Sequence, residues 1–241
     1  MSGAPASPLS PLGVLGFVGP FGTGKTEIAI NYSLASVAAG RDTALADLDV
    51  VTSYFRVGDY RGELEAKGVR VIAAPGALAS FENPSLPPEI TGALSDRGAH
   101  VVLDVGGDPS GARLLGAYAP HISAQPYDLW LVVNPFRPSS SSAEALRAQR
   151  ELMEKGAGLH VSSVVANPHL GRDTEPAHIE SGFRAVTRIA DELGLPIAFL
   201  AMAEHLLERA PAVSAPVLVL RFVVRLPWEP ETGTQSCPKN Y

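Results

Sequence analysis

Three short stretches hold residues whose types and spacing fit the chemistry of a polyphosphate. The first is Gly19-Pro20-Phe21-Gly22-Thr23-Gly24-Lys25-Thr26, which satisfies G-x-x-x-x-G-K-[ST] and lies between the apolar run Val14–Val18 and a helical segment at residues 25–39. Its glycines let the loop from Gly19 to Gly24 wrap a phosphate with converging backbone N–H groups. The helix that follows turns its unpaired N–H groups and positive dipole end on the same anion. Lys25 then reaches the β- and γ-phosphates, and the Thr26 hydroxyl is a ligand for Mg²⁺.

The second stretch, Asp47-Leu48-Asp49, closes the apolar run at residues 43–48. Strand alternation puts both carboxylates on one side, and ligands of open α/β sheets gather at the carboxyl ends of strands. Asp49 can there orient or deprotonate a water attacking a γ-phosphate, or hold a metal-bound water. The third stretch is His100-Val101-Val102-Leu103-Asp104 followed by Val105-Gly106-Gly107-Asp108, an apolar strand that ends in an acid and then a glycine pair. Asp104 reads as the acid that serves Mg²⁺ directly or through water. Gly107 can offer its backbone N–H to the γ-phosphate with no side chain in the way, and such a contact on a glycine-hinged loop is the basis of a switch. Asp108 either joins this site or caps the helix that follows.

A guanine-reading loop of the Asn-Lys-x-Asp kind carries an aspartate three residues after its asparagine. Here Val164-Val165-Ala166-Asn167 is followed by Pro168-His169-Leu170, with no acid in that place. GTP is thereby disfavoured and ATP favoured, with Asn167 offering its two-faced amide to adenine. An Asn-Pro turn is the other role open to Asn167.

These residues need strands to carry them. Apolar runs at residues 14–18, 43–48, 69–73, 100–105, 129–133, 161–166, 196–200 and 216–223 alternate with helical segments at 25–39, 59–67, 88–98, 110–117, 142–155 and 176–193. Most runs lack polar alternation, as parallel strands buried on both faces do, so the expected fold is a three-layer, doubly wound α/β domain. Ser142 reads as a helix N-cap, Pro176 as a first-turn proline and Gly40 as a helix stop.

With 241 residues, 46% of them apolar and 18% charged, the chain supports one substantial core. The expected layout is a flexible leader at 1–13, one domain at 14–230 and a flexible tail at 231–241. The net charge of −6 opposes non-specific attraction to nucleic acid or anionic lipid. A single cysteine, Cys237, excludes an intrachain disulfide or a Cys-based metal site and points to the cytoplasm. The six histidines are scattered without ligand spacing, and no apolar stretch reaches the roughly 18–20 residues that span a bilayer.

Taken together, GPFGTGKT at Gly19–Thr26, DLD at Asp47–Asp49, DVGGD at Asp104–Asp108 and VVAN at Val164–Asn167 resemble the SIMIBI class of P-loop NTPases. The branch is that of MinD/ParA, the nitrogenase iron protein and the CobQ/CobB-like nucleotide-binding domains. More narrowly, FGTGKTE, DLDVVTSYFR and DVGGDPSGA look like a bacterial ATP-binding group placed near MinD/ParA. The resemblance implies that the acid at Asp49 assists hydrolysis, that Asp104 serves the metal and that the loop after it is a switch. It implies a Mg²⁺-dependent ATPase working as a nucleotide-dependent switch, through a homodimer or an unidentified protein partner; a small-molecule phosphotransferase or ligase is the alternative on the same fold. MinD/ParA-type loops carry at their second position a lysine that crosses to the partner's nucleotide, whereas this chain has Pro20. Arg56 or Arg61 is the candidate replacement cation. Arg147 and Arg150 are the nearest approach to an acceptor site for the alternative.

Overall fold

The computed structural model describes residues 7–10, 13–49, 56–73, 88–210 and 213–224. Leu226, Trp228, Cys237 and the expected tail lie outside the described residues. Eight strands, β1 (Val14–Val18), β2 (Thr43–Leu48), β3 (Val69–Ile72), β4 (His100–Val105), β5 (Tyr127–Val133), β6 (Ser163–Ala166), β7 (Ile197–Ala203) and β8 (Val217–Leu220), form one sheet. Its order is β3-β2-β4-β1-β5-β6-β7-β8, and every pairing is parallel. The helices are α1 (Lys25–Ala38), α2 (Arg61–Ala66), α3 (Pro88–Ser95), α4 (Pro109–Ser123), α5 (Ala143–Ala157) and α6 (Pro176–Leu193).

Period-two alternation divides each strand's side chains between two cores. Leu15, Phe17, Leu45, Val102, Trp130 and Phe199 pack with Ile28, Tyr32 and Leu64 of α1 and α2. Val14, Val18, Ala46, Leu103, Leu131 and Val164 face the other way, against residues of α3 to α6 such as Ile90, Leu115, Leu146 and Ile179. The three expected layers are therefore present. On the α1 side Phe17 meets Tyr32, Trp130 and Phe199 edge to face, at ring separations of 5.4, 6.1 and 6.4 Å.

The winding places the ligand site. After β1 the chain turns toward one edge, to β2 and β3, and after β4 it steps over β1 to β5 and on toward the other edge. The loops that follow β1 and β4 thus diverge, and a crevice opens at the carboxyl ends of these central strands. The register holds Asp104 beside Phe17 of β1 and opposite Asp47 of β2.

Two local expectations change. The helical segment expected at 110–117 is longer at its C-terminal end, although a proline inside a helix removes an N–H and crowds the preceding turn. In the structure α4 runs through Pro120 to Ser123, held by the burial of Tyr118 and Ile122 against the core. Within the expected leader, Ser10 is buried: its N–H donates to the Tyr32 hydroxyl at 2.7 Å, its hydroxyl to Asp128 at 2.7 Å, and its carbonyl accepts from Arg41 at 2.6 Å. Ser142 does cap α5, accepting from the Ala145 N–H, and Pro176 opens α6.

Candidate nucleotide site

The loop between β1 and α1 is built from positive-φ glycines. Gly24, at φ 92°, stands where an L side chain is strained, and a Cβ there would also collide with the Asn167 amide. Gly19, at φ 139°, would press a Cβ to 2.7 Å from the Val132 carbonyl. The Pro20 carbonyl accepts from Thr23 Oγ1 at 2.9 Å and from Lys25 Nζ at 3.1 Å, so the loop closes on itself around the lysine. Lys25 is buried, and burial lowers its pKa against the opposing charges of Asp104, Asp49 and Asp108. An anion seated in the loop adds the counter-charge that this buried ammonium needs.

Asp104 is 1% exposed. Burial, with the Asp49 charge, pushes its carboxyl up to about 6, while Lys25 and a hydrogen bond from Thr26 pull it down. Its Oδ1 has no hydrogen-bond partner among the described residues. An orphaned carboxylate oxygen beside a threonine hydroxyl fits a Mg²⁺ centre, because Mg²⁺ keeps several waters and takes one or two carboxylates plus phosphate oxygens. Thr26 and Asp104 would hold the ion, and Asp49 stands on the same cavity wall as Thr26. Asp47 accepts from the Asp49 N–H at 3.0 Å. Burial and the charges of Asp104 and Asp49 push the Asp47 carboxyl up to about 8.

These shifts set the pH response of the metal-free chain. Asp47 titrates at 3.8 when unperturbed and at about 8 in the fold, so across that window the folded state keeps a proton that the unfolded state has released. Stability is fully present below the lower value and is lost as pH rises through the upper one. The urea midpoint in chelator is expected to fall from about pH 5 to about pH 8, and Asp47→Asn is expected to flatten that fall. An unchanged slope in the variant would contradict the assignment.

The loop after β4 is packed onto the phosphate loop. A Cβ on Gly107 would stand 2.6 Å from the Gly19 carbonyl and 2.9 Å from the Phe21 nitrogen, so only glycine permits this approach. Gln149 of α5, which sequence reading passed over, donates to the Gly107 carbonyl at 2.8 Å. Asp108 takes the capping role, accepting from the Gly111 N–H at 2.8 Å. Asn167 donates its amide to the Thr23 carbonyl at 2.7 Å, and its Oδ1 has no partner among the described residues. It therefore braces the phosphate loop as well as facing the cavity.

That cavity, of about 640 Å³, is large enough for a nucleotide. Phe21, Gly22, Gly24, Lys25 and Thr26 of the glycine-rich loop and α1 line it together with Asn134, Arg137, His169, Leu170 and Phe222. Gly19, Pro20, Thr23 and Gly107 are not on its wall but build the loops behind it, and Asp104 stands behind it near the end of β4. His169 stays neutral, since burial and His205 bring its pKa down to about 4. Arg61 is spent on the Val71 and Ala73 carbonyls at the end of β3, while the Arg56 charge acts on Asp47. Arg147 and Arg150 donate to the carbonyls of Glu192 and Leu193 at the end of α6, a structural role. Among the described residues no group of three or more His, Cys, Asp and Glu could hold a metal by itself, and no helix is long and apolar enough to cross a membrane.

No protein-family model matches the chain, and no curated protein does. Solved structures do. Chloroplast FtsY from Physcomitrella patens is similar with a TM-score of 0.52 at 18% identity, over 80% of this chain and 59% of that one. The signal recognition particle 54 kDa protein from Aeropyrum pernix K1, in complex with GDP, gives 0.51 at 22% identity over 80% and 42%. FlhF complexed with GTP and Mg²⁺ gives 0.52 at 15% identity over 80% and 66%. The chain thus spans 42% to 66% of the length of these proteins. The architecture on which Lys25, Asp104 and the diverging loops are mounted is the three-layer α/β fold of the P-loop NTPases.

Proposed function

We propose that the chain is a Mg²⁺-dependent ATPase that works as a nucleotide-dependent switch of the MinD/ParA-like kind. The observation that carries this reading is the convergence of Lys25, Thr26 and the half-satisfied Asp104 on one preformed phosphate loop. Lys25 binds the β- and γ-phosphates, and Thr26 and Asp104 hold the cation, which neutralises charge on those phosphates. Asp49 orients or deprotonates the attacking water. The Gly107 N–H answers to the γ-phosphate, so its loss on hydrolysis frees the loop that Gln149 tethers, and this relays the nucleotide state to a homodimer or protein partner.

Two relatives in fold carry guanine nucleotides, as a GDP complex and a GTP/Mg²⁺ complex. Adenine is favoured here for a local reason. The Asn167 amide, one of whose N–H groups is committed to Thr23, keeps an unpartnered oxygen that can accept from the adenine amino group, while the carboxylate that would take up the two donors of a guanine edge is missing. Leu170 occupies the place of a guanine-reading acid and lines the cavity. Leu170→Asp is expected to move the ratio of GTP to ATP affinity toward GTP by roughly tenfold or more, read by competition against a fluorescent nucleotide. An unchanged ratio would remove this position from base recognition.

Sedimentation velocity of the chain with Mg²⁺ and a non-hydrolysable ATP analogue, beside phosphate release from ATP, tests the switch. An analogue-dependent dimer with slow release supports it, with Pro20 in the lysine's place. A mass indifferent to nucleotide turns the reading toward a phosphotransferase or ligase.

A further inference from the structure

The chain segment after β8 is a strap tied by its backbone to the phosphate-loop helix. Glu27, the residue after Thr26, accepts from the Val223 N–H at 2.9 Å through one carboxylate oxygen and from the Val224 N–H at 3.0 Å through the other. Asn31, one turn on, completes the latch: it accepts from the Arg221 N–H at 2.8 Å and donates to the Arg221 carbonyl at 3.1 Å and to Glu27 at 2.9 Å. The Arg221 side chain leaves the strap on its outer side to pair with Glu204 at 2.7 Å.

Leu220, Phe222 and Val224 line the cavity, and Leu220, Val223 and Val224 also pack into the core on the α1 side of the sheet, which leaves Phe222 as the one ring among them on the cavity wall. The Phe222 ring meets His169 edge to face at 5.1 Å, and the Arg172 guanidinium stands 5.8 Å from its centroid. A polyphosphate needs none of this. An aromatic ring flanked by apolar side chains on the wall of this cavity suits a flat heteroaromatic base.

We propose that the strap of residues 220–224 is the nucleobase wall, with Phe222 as the ring against which a purine packs and Glu27 as the positioning residue that sets this wall relative to the phosphate loop. The proposal rests on the nucleotide reading above. It explains why a carboxylate stands half-buried beside the threonine assigned to Mg²⁺: both its oxygens are needed, one for each strap N–H. A glutamine would offer one acceptor and set its own N–H against the other donor.

The test is calorimetric titration of the whole chain with Mg²⁺–ADP and, separately, with Mg²⁺–tripolyphosphate, for wild type, Phe222→Ala, Phe222→Trp and Glu27→Gln, with folding checked by circular dichroism. Phe222→Ala and Glu27→Gln are expected to weaken ADP roughly tenfold and to leave tripolyphosphate unchanged, while Phe222→Trp keeps ADP affinity. ADP affinity at the wild-type level in both weakening variants overturns the proposal, and so does an equal loss for ADP and tripolyphosphate. A wild-type chain that binds neither probe overturns the nucleotide reading itself, and the wall falls with it.

Discussion

An Asp49→Ala chain is expected to bind Mg²⁺–ATP at near wild-type affinity while its phosphate release falls about 10²- to 10⁴-fold. Asp49 stands just past the end of β2, on the cavity wall that also bears Lys25 and Thr26, and it lies against Gly106, where a Cβ would meet its Oδ1 at 3.3 Å. In the proposed mechanism a carboxylate at that point reaches a water on the γ-phosphate side without gripping the nucleotide, and its contribution is made only as charge develops on that water. Asp104, which we propose holds the cation together with Thr26, differs in belonging to binding. Single-turnover phosphate release, read beside a binding titration, separates the two roles. Wild-type turnover in Asp49→Ala would remove the residue from catalysis, and a parallel loss of affinity would make it a metal residue only.

Lys25→Ala is expected to cost nucleotide binding about a hundredfold or more, since the variant loses a desolvated, charge-assisted bond to two phosphates. The same change leaves Asp104, Asp49 and Asp108 without the cation that opposes them, so the metal-free variant is also expected to lose stability. Lys25→Arg keeps the charge and separates these effects: folding recovers, while binding recovers only as far as a planar guanidinium can fit a loop closed on the Pro20 carbonyl. Retained ATP binding in Lys25→Ala, with the fold intact by circular dichroism, would overturn the phosphate-loop assignment.

What was legible in the sequence is what acts locally. The phosphate loop is eight consecutive residues whose chemistry does not wait for tertiary structure, and the apolar runs that end in Asp47 and Asp104 mark their own strand ends. Buried parallel strands are continuous apolar runs, so β1, β2 and β4 matched the expected boundaries residue for residue. The remainder depends on distant partners. Glu27 looks like an ordinary first-turn helix acid until residues 223 and 224 arrive beside it, 196 and 197 positions later. Gln149 is one polar residue on an amphipathic helix, and only the packing of α5 brings it to Gly107. Ser10 sits in a proline-rich stretch that reads as a leader, yet three hydrogen bonds from remote side chains place it. Asn167 had two readings, a base contact or a turn; the fold adds a third, the brace on Thr23.

The central claim is that Lys25, Thr26 and Asp104 make one Mg²⁺–nucleotide site. Isothermal titration of the chain with ATP, in Mg²⁺ and again in excess chelator, tests it most directly. One saturable site per chain, tighter for ATP than for GTP and weakened when Mg²⁺ is withdrawn, is the predicted result; no saturable binding of either nucleotide in Mg²⁺ would contradict it.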